Sequence, residues 1–294
     1  MHKLTLLLPL MFIIFVSGCT DITQPIIVTG GGLVITDFEP QLTEAYSTEE
    51  VTFEARIRND GILPAEMVYT EIVGIEDWDL VLDNTPDCTY GFALIPADVQ
   101  SGTEGQTKMC SWIYEAPEIP YGLDMPYNPT LRVYYSYFSN TIHTVSIVPR
   151  AELRRLKNSG QSLPVAIESS SGGPISISVD TEPILSFETS AIFPVKITVT
   201  NTDIGIACYP EDCRYTDNWN KVRLSFKLDD RMRLLDCGNM ELSLYKGDTN
   251  SVVCKIEAFD IPENSISKRS IELKAEYSYI IDKETQIKVL AEPS

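Results

Sequence analysis

Hydrophobic and polar side chains alternate in two stretches of the chain that follow one plan. Residues 33–59 read LVITDFEPQLTEAYSTEEVTFEARIRN, and residues 175–201 read ISISVDTEPILSFETSAIFPVKITVTN. Each opens on an alternating strand, passes an acidic-proline step (Glu39-Pro40, Glu182-Pro183) and ends in a second alternating strand at Asn59 or Asn201. In the first copy Val51, Phe53, Ala55 and Ile57 share one face, with Thr52, Glu54, Arg56 and Arg58 on the other. In the second, Val195, Ile197 and Val199 alternate with Lys196, Thr198 and Thr200. Period two with one polar face predicts antiparallel strands buried on one side.

The copies also end alike. TLRVYYSYFSNTIHTVSIV (130–148) and SIELKAEYSYIIDKETQIKVL (270–290) each predict a hairpin, turning at Ser139-Asn140 and at Asp282-Lys283. Leu131, Val133, Tyr135 and Tyr137 lie on one face of the first; Ile271, Leu273, Ala275, Tyr277 and Tyr279 lie on one face of the second. Between these ends each copy carries a cysteine pair at a comparable position, Cys88/Cys110 and Cys237/Cys254, which are paired within their copies. Elimination then joins Cys208 to Cys213 around CYPEDC, although the four cysteines of the second copy allow three connectivities. Closing the Cys88–Cys110 loop stabilises its domain by roughly 3 kcal/mol on the chain-entropy model.

Short alternating strands, turn residues between them and a bridge inside each copy predict an all-β protein of two tandem β-sandwich domains, 33–149 and 175–292. Trp78 and Trp112 are assigned to the core, and Ile75–Leu82 reads equally as a strand or a helical turn. Residues 150–174 form the linker. Ala151–Lys157 has good helix formers and stops at Asn158-Ser159-Gly160, and Ser169–Pro174 reads as a flexible connector. Arg150, Arg154, Arg155 and Lys157 against Glu152 make the helix net +3, which reads as a solvated turn rather than a dock for an acidic face or anionic headgroups.

The first eighteen residues combine Lys3 with an apolar run, Leu4–Val16, too short for the roughly 20 residues of a membrane span. Basic start, apolar middle and small end are the pattern of a signal peptide (1–18). Val16-Ser17-Gly18-Cys19 resembles a lipobox, which would make Cys19 the lipid-bearing first residue and 19–32, with Gln24-Pro25 and Gly30-Gly31-Gly32, a flexible tether. The competing readings are a plain signal peptide leaving a free thiol and an uncleaved anchor. Parity supports the lipid: of seven cysteines, removing Cys19 leaves an even six, as an oxidised exported chain prefers.

Cleavage removes Lys3 and no acid, leaving 22 basic against 42 acidic residues, a net charge of −20. Such a surface repels phosphate backbones and excludes nucleic acid as a natural partner. It suits solubility, with distance from anionic membranes or divalent-cation binding as the other uses. A hydrophobic content of 44% argues against global disorder.

VTFEARIRNDGILPA and FPVKITVTNTDIG, each a strand running into an Asn-containing turn with Gly, resemble the start of CARDB-type and related immunoglobulin-like adhesion modules. The whole chain is similar to exported archaeal-type lipoproteins carrying two such modules. The resemblance implies immunoglobulin-like sandwiches and a role in adhesion or scaffolding. It carries over no site residues, and the cysteine-bearing middle of each copy departs from the plain module.

Candidate chemistry is sparse. His2 leaves with the signal and His143 stands alone, reading as a strand-facing aromatic in IHTVSIV; HExxH is absent. Cys208 and Cys213 with Cys237 and Cys254 could hold zinc only if the Cys237–Cys254 gap were shorter, so no metal and no cofactor is assigned. Glu76-Asp77-Trp78-Asp79 is the best candidate for a glycosidase-like acid pair beside a sugar-stacking ring, or for calcium; a polar loop beside a core Trp is the plainer reading. Gly30-Gly31-Gly32 lacks the Lys-Ser/Thr of a phosphate loop, and proline disqualifies the sequon Asn128-Pro129-Thr130.

The expectation is a non-enzymatic envelope protein, exported and held on the outer membrane face by lipid on Cys19, that offers two sandwiches to a protein or glycan partner or serves as a surface scaffold. Tyr134, Tyr137 and Phe138 in VYYSYF exceed what one core face needs and predict an exposed aromatic face. The alternatives are an acidic carbohydrate-active enzyme or solute-binding lipoprotein with a cleft between the domains, and a filament or coat subunit that assembles through sheet edges.

Overall fold

A computed structural model describes residues 31–292, apart from 99–100, 187–188 and 211. The signal, Cys19 and the tether up to residue 30 lie outside the described residues. The first copy supplies β1 (Leu33–Pro40), β2 (Glu44–Tyr46), β3 (Glu50–Asn59), β4 (Ala65–Val73) and β5 (Asp79–Asp83). Helix α1 (Pro86–Tyr90) then precedes β6 (Phe92–Leu94), β7 (Thr107–Glu115), β8 (Asp124–Tyr127) and β9 (Thr130–Pro149). Helix α2 (Arg150–Asn158) and β10 (Ile167–Ser170) join the copies. The second copy supplies β11 (Ile175–Asp180), β12 (Ile184–Ser186), β13 (Ala191–Asn201), β14 (Ile206–Cys208) and β15 (Lys221–Leu228). It ends with β16 (Met232–Leu234), β17 (Met240–Ser243), β18 (Thr249–Ala258), β19 (Ser267–Glu284) and β20 (Ile287–Leu290).

The all-β expectation holds. The alternating segments are strands with the expected faces inward: Val51, Phe53, Ala55 and Ile57, like Val195, Ile197 and Val199, are buried. Four-stranded sheets β1-β3-β7-β5 and β11-β13-β18-β16 occupy equivalent places in the two copies. Ile75–Leu82 resolves into a turn, with the Trp78 N–H donating to the Ile75 carbonyl at 3.1 Å, followed by β5.

The hairpin expectation for 130–148 is corrected: β9 is one 20-residue strand. It pairs antiparallel with β19 from Thr130↔Glu284 to Ile147↔Ser267, so the two copies share one nine-stranded sheet. The residues that signalled turns are held straight by partners distant in sequence. Ser139 Oγ meets the Tyr277 hydroxyl at 2.9 Å, and the Asn140 N–H donates to Ser171 Oγ at 2.9 Å. Arg132 donates twice to the Asp282 carboxylate, at 3.0 and 2.8 Å, and Lys283 donates to the Thr36 carbonyl at 2.9 Å. The second hairpin is likewise absent, since β20 leaves for another sheet. Part of the connector read as flexible is also a strand, β10 pairing with β9 at Thr141–Thr144.

A pseudo-twofold relation organises the whole. The offset that carries Leu33 to Ile175 also carries Asn59 to Asn201, Tyr135 to Tyr277 and Tyr137 to Tyr279. It carries Ser136 to Ser278, and these two face each other across β9 and β19, so the local axis passes through that pair. Each copy lends the end of its last strand to the other. β12 runs parallel to the end of β9 (Ile184↔Ile147), and β2 runs parallel to β20 (Ala45↔Val289).

Four tyrosines fill the junction. Tyr135, Tyr137, Tyr277 and Tyr279 are buried, with neighbouring ring centroids 5.7–6.3 Å apart. Two hydroxyls are matched symmetrically: Tyr135 accepts from Leu33 N–H at 3.3 Å, and Tyr277 from Ile175 N–H at 3.4 Å. Tyr137 accepts from Leu63 N–H at 3.2 Å, and Tyr279 donates to Asn201 Oδ1 at 2.7 Å. A Cβ on Gly32 would collide with the Tyr135 hydroxyl, and one on Gly61 with that of Tyr137, so both sites admit only glycine without rearrangement. Burial drives the ionisation of Tyr135, Tyr277 and Tyr279 upward, because a phenolate would be stranded in apolar surroundings.

Candidate functional site

The cysteines join as the sequence argument paired them: Cys88–Cys110 ties α1 to β7, Cys237–Cys254 ties the loop after β16 to β18, and Cys208–Cys213 closes CYPEDC. Three disulfides fit an oxidising, extracytoplasmic environment. Asp236 clusters with Cys237 and Cys254, yet both sulfurs are spent in the bridge, leaving no thiolate for zinc there. Among the described residues no helix is long and apolar enough to cross a membrane.

The Glu76–Asp79 loop does not present a sugar platform. Trp78 lies in the core, edge-on to Phe53 at 5.9 Å and to Tyr127 at 5.5 Å. Asp77 Oδ2 accepts the Tyr127 hydroxyl at 2.6 Å, and Glu76 Oε1 accepts the Gly74 N–H at 3.0 Å. Burial first, and this hydrogen bond to Asp77 second, raise the Tyr127 ionisation far above its ordinary range. The carboxylates therefore fasten a turn over the aromatic core.

The aromatic run of β9 is covered on both sides. Tyr135 and Tyr137 enter the junction, whereas Tyr134 stacks on Tyr69 at 4.5 Å beneath the Cys208–Cys213 loop. Burial, reinforced by Glu71, pushes the Tyr134 phenol up to about 12. Phe138 is half-buried under the Lys274 ammonium, 4.7 Å from its ring centre. An exposed aromatic face is thus not what β9 offers.

His143 occupies a more polar setting than a strand-facing aromatic needs. It is buried on the inner face of β9, with Nε2 2.9 Å from Thr181 Oγ1 and Nδ1 3.4 Å from Glu168 Oε2. The same Glu168 oxygen accepts the Val179 N–H at 2.8 Å. One imidazole thereby pins both β10 and the β11–β12 turn to β9. Beside it opens a cleft of about 440 Å³ whose wall includes Glu168, Asp180 and Glu182. At the pseudo-equivalent position of the second copy stands Thr285, so the buried histidine belongs to one copy only. Sequence reasoning missed it because Glu168 and Thr181 lie in segments read as linker and step.

The other singular surface is the outer edge of the first four-stranded sheet. β5 pairs with β7 alone, and a bulge at Val81 turns Leu80, Val81 and Leu82 outward together. Asp79 faces Glu115 on β7, which in turn faces Glu50 on β3, a row of three carboxylates at one end of this apolar edge. The sequence LVL between two aspartates is the only local signal, and it also reads as an ordinary buried strand. No protein-family model matches the chain, and no curated protein sequence matches it.

Proposed function

We propose that this chain is an exported, lipid-tethered, non-enzymatic envelope protein whose fused pair of immunoglobulin-like, CARDB-like modules is held outside the membrane to bind a partner, either for adhesion or for surface scaffolding. The observation that carries the reading is the pairing of all six cysteines beyond Cys19 into three disulfides within an acidic all-β body. Cys19, behind its apolar run, is then the cysteine left over for lipid. The shared sheet adds a mechanical reason: two modules joined through β9 and β19 present their surfaces at fixed spacing, which lowers the ordering cost of binding a large partner. The engagement of Asp77 and Trp78 in core contacts removes the best candidates for sugar chemistry.

The test is the intact mass of the native protein from its membrane fraction, before and after reduction, with protease applied to whole cells. A chain starting at a lipidated Cys19, gaining two hydrogens per disulfide on reduction and cleaved from outside, is the expected result. A chain that retains residues 1–18, carries an unmodified Cys19 or resists external protease overturns the tether.

A second reading, a solute-binding lipoprotein, is favoured by the His143 cleft, where Glu168, Asp180 and Glu182 suit a cationic solute. Calorimetric titration with spermidine separates the two: saturable binding lost in Glu182→Gln moves this reading ahead.

A further inference from the structure

The pseudo-twofold gives the molecule an internal control at its sheet edges. β5 and β16 end equivalent four-stranded sheets, yet they differ in length and in the side chains they expose. β16 has three residues, of which Met232 is buried and Arg233 pairs with Glu257 of β18 at 2.6 Å. The chain beyond it folds back, the Leu235 N–H donating to the Lys255 carbonyl at 2.9 Å, and the Cys237–Cys254 bridge locks it down. Short length and charge are among the usual defences of an exposed edge.

β5 shares the closure, since the Asn84 N–H donates to the Ser111 carbonyl at 3.1 Å and Cys88–Cys110 ties the following helix to β7, but it is longer, five residues, and its middle carries no charge. Its central residues are apolar and about half exposed, Leu80 at 53%, Val81 at 46% and Leu82 at 51%. Asp83, at its far end, is occupied with the Thr89 hydroxyl at 2.7 Å and the Thr85 N–H at 3.0 Å. Its bulge twists the strand, and among the described residues no second strand pairs along its free side. An edge of this kind is a template for an added strand.

Charge selects the occupant. Asp79, Glu115 and Glu50 form a like-charged row, which is unfavourable unless a cation approaches. A second copy of the chain is the wrong partner. Antiparallel self-pairing centred on Val81 sets Asp79 of one copy beside Asp83 of the other, and a net charge of −19 adds longer-range repulsion. We infer that β5 is the docking edge for an extended segment of a different protein, apolar at alternate positions and carrying lysine or arginine where it meets Asp79, with Glu115 and Glu50 on the two strands behind adding to the negative field. The inference rests on the reading of the chain as a binding protein and names the chemistry of its partner.

The experiment uses the full mature chain and two fluorescein-labelled peptides that alternate valine and threonine, one ended by lysines and one by glutamates. Anisotropy at low salt should give saturable binding of the lysine-ended peptide at least tenfold tighter than of the glutamate-ended one. Hydrogen exchange should show new protection at 79–83. Val81→Lys, and independently Leu82→Lys, should each weaken binding tenfold or more while the circular dichroism of the free protein is unchanged. Equal affinity for both peptides, protection appearing elsewhere, or indifference to both variants overturns the proposal. So does a concentration-dependent dimer in sedimentation that either variant dissolves, since it would assign the edge to a second copy. The binding assay does not depend on the lipid, so its failure leaves the mass measurement standing, and the reverse holds too.

Discussion

Val289 offers the sharpest test of how the two copies are joined. It lies on the last strand of the chain, is fully buried, and pairs with Ala45 of β2 on one side and Met125 of β8 on the other. Val289→Ala removes two buried methyl groups at about 0.8 kcal/mol each, roughly 1.6 kcal/mol of transfer free energy. The cavity left between β2 and β8 raises the cost to about 2–3 kcal/mol, because such sites collapse only partly. Urea denaturation gives the size of the loss, and hydrogen exchange gives its location. If β20 closes the first copy, protection falls at 44–46 and 124–127, segments far away in sequence, while 191–201 and 249–258 keep theirs. Protection lost only among β15, β18 and β19, with 44–46 and 124–127 unchanged, would mean that the chain end stays in its own copy and that the exchange of strands is wrong.

Other perturbations address the covalent frame and the junction. Replacing Cys88 and Cys110 by serine should cost roughly 3 kcal/mol and replacing Cys208 and Cys213 roughly 2, since the loops span 22 and 5 residues; equal losses in urea titrations would count against the chain-entropy account. Gly32→Ala drives a methyl into the Tyr135 hydroxyl and should cost about 1–3 kcal/mol, part of it recovered in the double variant with Tyr135→Phe; strict additivity would show that the two do not touch. Buried tyrosines also set an alkaline limit. Their folded ionisation lies above the unfolded value near 10, so the stability they contribute is complete below pH 10 and is lost as pH rises through about 12, where Tyr134 ionises. Absorbance and ellipticity should therefore change together between those limits, and normal phenol titration of a chain that stays folded would contradict the burial of the quartet.

What the sequence disclosed was local. Period two in VTFEARIRN and FPVKITVTN was enough to place β3 and β13 and to orient their faces, because each strand buries one side whatever lies beyond it. The within-copy cysteine pairs followed from their matching positions for the same reason. What remained hidden depends on partners far along the chain. Ser139-Asn140 and Asp282-Lys283 carry turn chemistry, and only Tyr277, Ser171, Arg132 and the Thr36 carbonyl, each supplied from elsewhere, keep them extended. Local propensity lost there to tertiary pairing, as it often does in sheets. The His143 setting and the bare β5 edge were hidden for a related reason, since each is defined by contrast with a pseudo-equivalent position that only the fold identifies.

That contrast bears on how the molecule acts. Tandem modules on a flexible linker vary their separation, and a partner touching both must then supply the entropy of fixing it. Here α2 and β10 are held against β9, and the last strand of each copy completes the other, so bending at the junction would break main-chain pairing on both sides at once. A substitution at β5 or in the His143 cleft alters one half, whereas one at Gly32, Gly61 or the four tyrosines reaches the junction that both halves share. Binding features on such a body are therefore expected where the pseudo-symmetry is broken, and the β5 edge is where it is broken toward apolar, unpaired backbone.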